Sequence, residues 1–308
     1  MSGQHITVLL EEAVEALCLE PNDIVIDGTF GRGGHSRLIL EKLGPSGRLI
    51  GIDKDLTAVN HAKENIKDSR FEIVHGSFSD IENIAKNLGV LGKANAVLLD
   101  LGVSSPQIDQ AERGMSFMND GPLDMRMDQT QGQTCSEFLE QVSESDLANI
   151  LFNYGDEKFS RRIAKSIVLR RVLSPILTTR DLASIIAEAM PVRDKHKHPA
   201  TRSFQALRIY LNKELEDLEI FLKNIEKILA PNGRLGIISF HSLEDRLVKT
   251  FFNSKTKEPE LPRGLPVRSN FKPTWKLLDK KLKPSELELE KNNRARSAIM
   301  RAGIFLSY

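Results

Sequence analysis

The stretch Asp27-Gly28-Thr29-Phe30-Gly31-Arg32-Gly33-Gly34-His35 sets an acid ahead of four glycines, between an apolar run and an amphipathic one. Glycines in such a turn let backbone approach a ligand closely. A dinucleotide fingerprint needs Gly-x-Gly-x-x-Gly, but counted from Gly31 and Gly33 the third position is Ser36. No Gly-x4-Gly-Lys-Ser/Thr occurs either, so no triphosphate cradle is written here. Asp53 closes the next apolar run, where a carboxylate can accept both hydroxyls of a ribose. An acid-led glycine loop, a ribose acid and no phosphate cradle suit S-adenosylmethionine, whose nucleoside carries a sulfonium amino acid instead of phosphates. Each feature has a plainer reading: the glycines as a tight turn, Asp53 as a helix cap, Phe78 as core rather than an adenine neighbour.

A second corner follows the fourth apolar run, in Leu98-Leu99-Asp100-Leu101-Gly102-Val103-Ser104-Ser105-Pro106-Gln107. Amino-group methyltransferases carry Asp/Asn/Ser-Pro-Pro-aromatic at this corner, where oxygen acceptors bind the target amine. Here Ser-Pro is present and the aromatic is absent.

The elements that must position these residues are short β-rich runs at Ile24 to Asp27, Arg48 to Asp53, Phe71 to His75 and Ala96 to Asp100. Amphipathic segments near 35–43, 55–67 and 79–88 alternate with them. Strand and helix in alternation predict right-handed βαβ units and a doubly wound α/β sheet. Three of the runs end in an acid, Asp27, Asp53 and Asp100, at the end of the strands where open α/β sheets place their ligands. After Asp100 the next buried strand is Arg234 to Ser239, so the intervening stretch is an inserted subdomain rather than a loop. Its patterns predict helices near 136–153, 157–172 and 179–190, and a long amphipathic helix from Ser203 to Leu229. A surface loop over Asn253 to Pro273 and strands near 271–278 and 296–303 complete the expectation. The domains are then 1–108 with 213–308, and 109–212.

Net charge is only +1, yet residues 158–213 carry 13 Lys/Arg against three acids, while residues 1–100 carry 10 against 15. The basic insertion therefore calls for an acidic partner. The longest apolar runs are far too short to span a bilayer, and the start of the chain turns acidic at Glu11, Glu12 and Glu15, unlike a signal peptide. Two cysteines, Cys18 and Cys135, form neither a disulfide framework nor a metal-ligand set, which fits a cytoplasmic protein.

Several blocks together carry a resemblance: 27–36, Asp100-Leu-Gly-Val-Ser-Ser-Pro-Gln107, Gly121-Pro-Leu-Asp-Met-Arg-Met-Asp128, His198-Pro-Ala-Thr-Arg-Ser-Phe-Gln-Ala206, Ser239-Phe-His-Ser-Leu-Glu-Asp-Arg246 and Arg294-Ala-Arg-Ser297. They resemble the ribosomal RNA small-subunit methyltransferase H family, the MraW family, from about His5 to about Ala302. The resemblance implies a Rossmann-like class I methyltransferase that uses S-adenosylmethionine, without a metal, to methylate the exocyclic N4 of a cytosine in the decoding region of 16S rRNA. Its cofactor contacts fall on Gly33, Gly34, His35, Asp53, Phe78, Asp100 and Gln107. Asp100 is a candidate for the cofactor's amino group or for the target amine, and Ser104 and Ser105 for holding the base. Arg161, Arg162 and Lys165 in the insertion are candidates for RNA phosphates, and His241 for the base or RNA with a structural role as the alternative. The implied partner is small-subunit rRNA or a ribosomal particle, with no membrane; the oligomeric state, a homodimer included, is left open. A small-molecule methyltransferase would not need the basic insertion, and a nonenzymatic RNA-binding module would not need the glycine loop.

Overall fold

The computed structural model describes residues 7–191, 198–258 and 271–307. Seven strands form one sheet: β1 (Ile24–Asp27), β2 (Arg48–Asp53), β3 (Phe71–His75), β4 (Ala94–Asp100), β5 (Leu229–Ser239), β6 (Trp275–Leu282) and β7 (Ile299–Phe305). Their order is β3-β2-β1-β4-β5-β7-β6. The strands from β3 to β5 run parallel, and β7 is antiparallel to both neighbours. This is the doubly wound, Rossmann-like α/β sheet that the alternation of strand and helix implies.

Alternation within the apolar runs builds both faces at once. Val25, Leu49 and Leu98 point into one core with α1 (Leu10–Ala16) and α2 (Gly34–Lys42). Their neighbours Ile26, Ile50 and Leu99 enter the opposite core, with side chains from 81–85, 218–228 and 248–252. Because both faces are buried, these strands read as continuous apolar runs. On the helical side of the pattern lie α3 (Leu56–Asn65) and α4 (Ile81–Asn87). The register pairs Asp27 with Gly51 and Leu98, and Asp53 with His75, so the acids of β1, β2 and β4 share one edge of the sheet. Strand order reverses between β1 and β4, which is the crevice where such sheets bind ligands.

The chain divides into two compact units, Met1–Gly102 with Leu215–Tyr308, and Val103–Glu214. Within the second lie α5 (Ser105–Asp109), α6 (Cys135–Gln141), α7 (Glu144–Gly155), α8 (Ser160–Leu173), α9 (Thr179–Ala189) and α10 (Thr201–Leu211), around a core of its own. The single helix expected near 136–153 is two, because Ser143 caps a new helix by accepting the N–H of Asp146 at 3.0 Å.

The long helix expected from Ser203 to Leu229 is also two, α10 and α11 (Glu214–Ile228). Lys213 turns left-handed at φ 54°, and the buried Asn212 side chain is committed elsewhere. It accepts the N–H of Met127 at 2.7 Å and donates to the carbonyls of Met125 and Arg208 at 2.8 and 2.9 Å. The final helices are α12 (Ser242–Thr256) and α13 (Glu286–Lys291). Part of the loop expected over Asn253 to Pro273 is therefore the last turn of α12, and residues 259–270 lie outside the described residues. Arg193, Lys195 and Lys197 of the basic insertion do too. Among the described residues no helix is long and apolar enough to cross a membrane.

Candidate active site

Asp27 ends β1 buried, with the Ser36 hydroxyl donating to Oδ2 at 2.7 Å and the Thr29 N–H to Oδ1 at 3.2 Å. These bonds favour the carboxylate, but burial outweighs them and pushes its pKa up to about 6. Asp53 stands half-buried at the end of β2 and is also raised to about 6, chiefly by burial. Its Oδ2 accepts the Gly31 N–H at 2.7 Å, and its Oδ1 accepts the Asp55 N–H at 2.8 Å. One acid thus closes the glycine loop onto the neighbouring strand, and each oxygen keeps a lone pair for a further donor.

Asp100 completes the group at the end of β4. Its backbone N–H donates to Thr29 Oγ1 at 2.6 Å, and its Oδ2 lies 3.8 Å from Nδ1 of the buried His35. Burial, and then the neighbouring charges of Asp27, Glu244 and Glu288, hold this carboxyl well above the ordinary range. Its Oδ1 is buried and has no hydrogen-bond partner among the described residues. A cluster of this kind favours a ligand that brings N–H or O–H donors and positive charge, and disfavours a pyrophosphate.

The glycines have local reasons of their own. Gly31 and Gly33 are left-handed, at φ 56° and 73°. A Cβ on Gly33 would stand 2.6 Å from the Phe30 ring, and one on Gly34 would collide with the Thr7 hydroxyl. The loop is therefore packed against Phe30 and Thr7. Phe78 follows β3 half-buried, edge-on to Phe221 with ring centroids 5.8 Å apart, so it belongs partly to the core.

Ser104, Ser105 and Gln107 belong to the second unit. Ser104 precedes α5, and its N–H donates to Gln107 Oε1 at 2.8 Å, which leaves the buried Gln107 capping its own helix. His241 caps α12: its Nδ1 accepts the Glu244 N–H at 3.4 Å, and its Nε2 lies 3.1 Å from Glu244 Oε1. The buried Glu244 in turn accepts the Phe240 N–H at 2.8 Å. Arg161, Arg162 and Lys165 are exposed near the start of α8, without an ion pair among the described residues. Thr29 and Glu244 were not singled out by sequence; Thr29 at least lies within the glycine loop.

Comparison with known proteins gives a family. The model of the MraW methylase family matches residues 2–304. The structure is similar to an rRNA methylase from Streptococcus thermophilus at 10% identity and TM-score 0.41, over 99% of this chain and 100% of that one. It is similar too to a SAM-dependent methyltransferase from Aquifex aeolicus, at 9% identity and TM-score 0.39, over 97% of this chain and 90% of the other.

The packing around the glycine loop makes a prediction. Gly34→Ala should lose ~1–3 kcal/mol in urea denaturation, the usual cost of overpacking. In a double-mutant cycle with Thr7→Gly much of that loss should return; no coupling between the two positions would mean that the loop relaxes freely away from Thr7.

Proposed function

Because the chain belongs to the MraW methylase family, we propose that it transfers a methyl group from S-adenosylmethionine to the exocyclic N4 of a cytosine in the decoding region of 16S rRNA. The observation that carries this reading is Asp100, whose buried Oδ1 has no hydrogen-bond partner among the described residues, set beside Asp27, Glu244 and Glu288. These acceptors fit the cofactor's chemistry, since its ribose hydroxyls and ammonium are donors and its sulfonium is a cation. When bound, the cofactor would supply an electrophilic methyl group.

The chain's own residues do the rest. Asp53 accepts the ribose hydroxyls with the lone pairs left over by Gly31 and Asp55, and Phe78 lies against the adenine. Gly33, Gly34 and His35 keep the loop narrow enough for close approach, and Gln107 is carried over as a further cofactor contact from the family pattern. Asp100 accepts from the cofactor's ammonium or from the target amine, while Ser104 and Ser105 hold the base. The N4 lone pair is delocalised into the ring, so acceptors around it raise its availability, and alignment with the donor supplies up to ~7–11 kcal/mol. The reading calls on no metal ion.

Methylation at a ring carbon would need a nucleophile, usually a cysteine thiolate. Cys135 is buried and its thiol is pushed up by that burial, and Cys18 is an exposed residue just past α1. Neither sits among the carboxylates, which supports the amine as acceptor. The exposed cations of α8 support RNA over a small molecule as substrate, because phosphates position a nucleic acid without reading it. A target base must also leave its stack to be methylated.

The test is single-turnover incubation with S-adenosylmethionine and unmodified small-subunit rRNA or particles, followed by nucleoside mass spectrometry. N4-methylcytosine is the expected product, and Asp100→Ala should lose transfer even with both substrates saturating. Appearance of 5-methylcytosine would overturn the amine mechanism, and full saturated activity in Asp100→Ala would remove that residue from the chemistry.

Replacing Arg161, Arg162 and Lys165 together by Ala should weaken RNA binding across sequences and flatten its salt dependence, with cofactor affinity unchanged. Unchanged RNA affinity and salt slope would assign α8 to another task.

Cofactor affinity should also follow pH. Asp53 ionises as pH rises through about 6, so calorimetry should find binding ~10-fold tighter at pH 7 than at pH 5. Asp53→Asn should weaken binding and reduce that dependence; a flat profile in the wild type would mean that the charge on Asp53 is not used.

A further inference from the structure

The residues next to two proposed cofactor contacts are tied together by a third side chain from a distant part of the chain. Lys54 follows Asp53 at the end of β2, and Ser77 precedes Phe78 after β3. A single oxygen of Asp217, Oδ2, accepts the Ser77 hydroxyl at 2.8 Å and pairs with the Lys54 ammonium. Asp217 is buried in the first turn of α11, and one turn further along the same helix Phe221 stands edge-on to Phe78. The backbone joins the same two turns: the Gly76 N–H donates to the Asp53 carbonyl at 2.9 Å, and His75 Nε2 lies 3.0 Å from the Lys54 carbonyl.

Ladder pairing between β2 and β3 ends at Asp53 opposite His75. Beyond that point these bonds join the two turns, and Asp217 supplies one to each turn from outside the sheet. It also pairs with the Lys54 ammonium, a cation one residue from Asp53.

We propose that Asp217 is a positioning residue that sets the cleft between Asp53 and Phe78 for the cofactor's nucleoside, acting through Lys54 and Ser77 without touching the cofactor. The inference rests on the reading that Asp53 and Phe78 hold that nucleoside. S-adenosylmethionine and S-adenosylhomocysteine carry the same nucleoside and differ at sulfur, so a device of this kind acts on both equally. A group at the sulfonium would separate them.

The experiment titrates the wild-type chain and the variants Asp217→Asn, Lys54→Met and their double with each ligand in a calorimeter, alongside thermal melts. Each single change should weaken both ligands by the same factor, on the order of 10-fold, and the double should be no weaker than the worse single, because both break one link. The single-turnover rate at saturating cofactor should stay within about twofold of wild type, as expected for a loss confined to ground-state binding. Ser77→Ala removes the arm to Asp217, together with the cap that Ser77 gives Ser79, without leaving a buried charge unpaired, and should show a smaller loss with the same ratio between ligands, whether or not Asp217→Asn folds; Ser79→Ala, which keeps the Asp217 arm, should bind both ligands as the wild type does.

Melting temperatures that fall while both affinities stay at the wild-type value would reduce Asp217 to a structural residue and overturn the proposal. So would a loss confined to S-adenosylmethionine. If the wild type binds neither ligand, the cofactor reading falls and takes this inference with it. If Asp53→Ala abolishes binding while the Asp217 and Ser77 variants bind normally, only the inference falls.

Discussion

Carboxylates crowded at one edge of a parallel sheet repel each other and resist burial, and most of the local architecture of the first unit answers that cost. Asp27 and Asp53 recover part of it from backbone N–H groups of the turns that follow their strands, those of Thr29, Gly31 and Asp55. For Gly31 to present its N–H to a carboxylate on the next strand, the loop must turn left-handed twice in three residues. That conformation falls to glycine, since other residues are strained there. The glycine loop is thus the partner of the acids as much as a landing for a ligand. Phe30 and Thr7, which fill the space a side chain at 33 or 34 would need, fix it in place.

The second unit solves a different problem. Among the described residues it builds its own core from α6 to α10 while leaving Arg161, Arg162 and Lys165 in water at the start of α8. Cations with no ion pair to satisfy keep their charge available to a polyanion, and their screened, non-directional attraction suits a long substrate held at many points. The acidic first hundred residues cannot offer this. A sheet edge that gathers negative charge and a helix that gathers positive charge are compatible within one chain of nearly zero net charge because they belong to different units.

Sequence made the central strands legible for a physical reason: burial on both faces writes Val25-Ile26 and Leu98-Leu99 as unbroken apolar runs, and the acid that ends each run marks the edge where it meets the site. The helix breaks were not legible. At Asn212 and Lys213 the amphipathic pattern continues across the break, and the interruption depends on bonds to Met125 and Met127, more than eighty residues away. The same distance hides Asp217, which meets Ser77 across 140 residues. Gln107 and His241 illustrate a different limit: both are polar residues at suggestive corners, and both prove to be engaged in capping the helix that starts there. A motif states that a residue type is needed at a position, while the number of bonds it serves emerges only when the fold is assembled.

The elevated carboxylates also link stability to ligand. A group whose pKa is raised on folding favours the folded state at pH values below its unfolded pKa, and that contribution is lost as pH rises through the folded value. For Asp27 and Asp53 the loss runs from about pH 4 to just above pH 6, so in neutral solution the ligand-free fold carries the cost of holding them ionised and buried. Asp100, with Asp27 and Glu244 as neighbours, carries a further cost of the same sign. A cationic ligand that donates to these oxygens returns that free energy on binding, whereas a phosphate would add to it. The cost of burying ionised carboxylates therefore acts as selection for the sign of a ligand's charge, before any shape is compared.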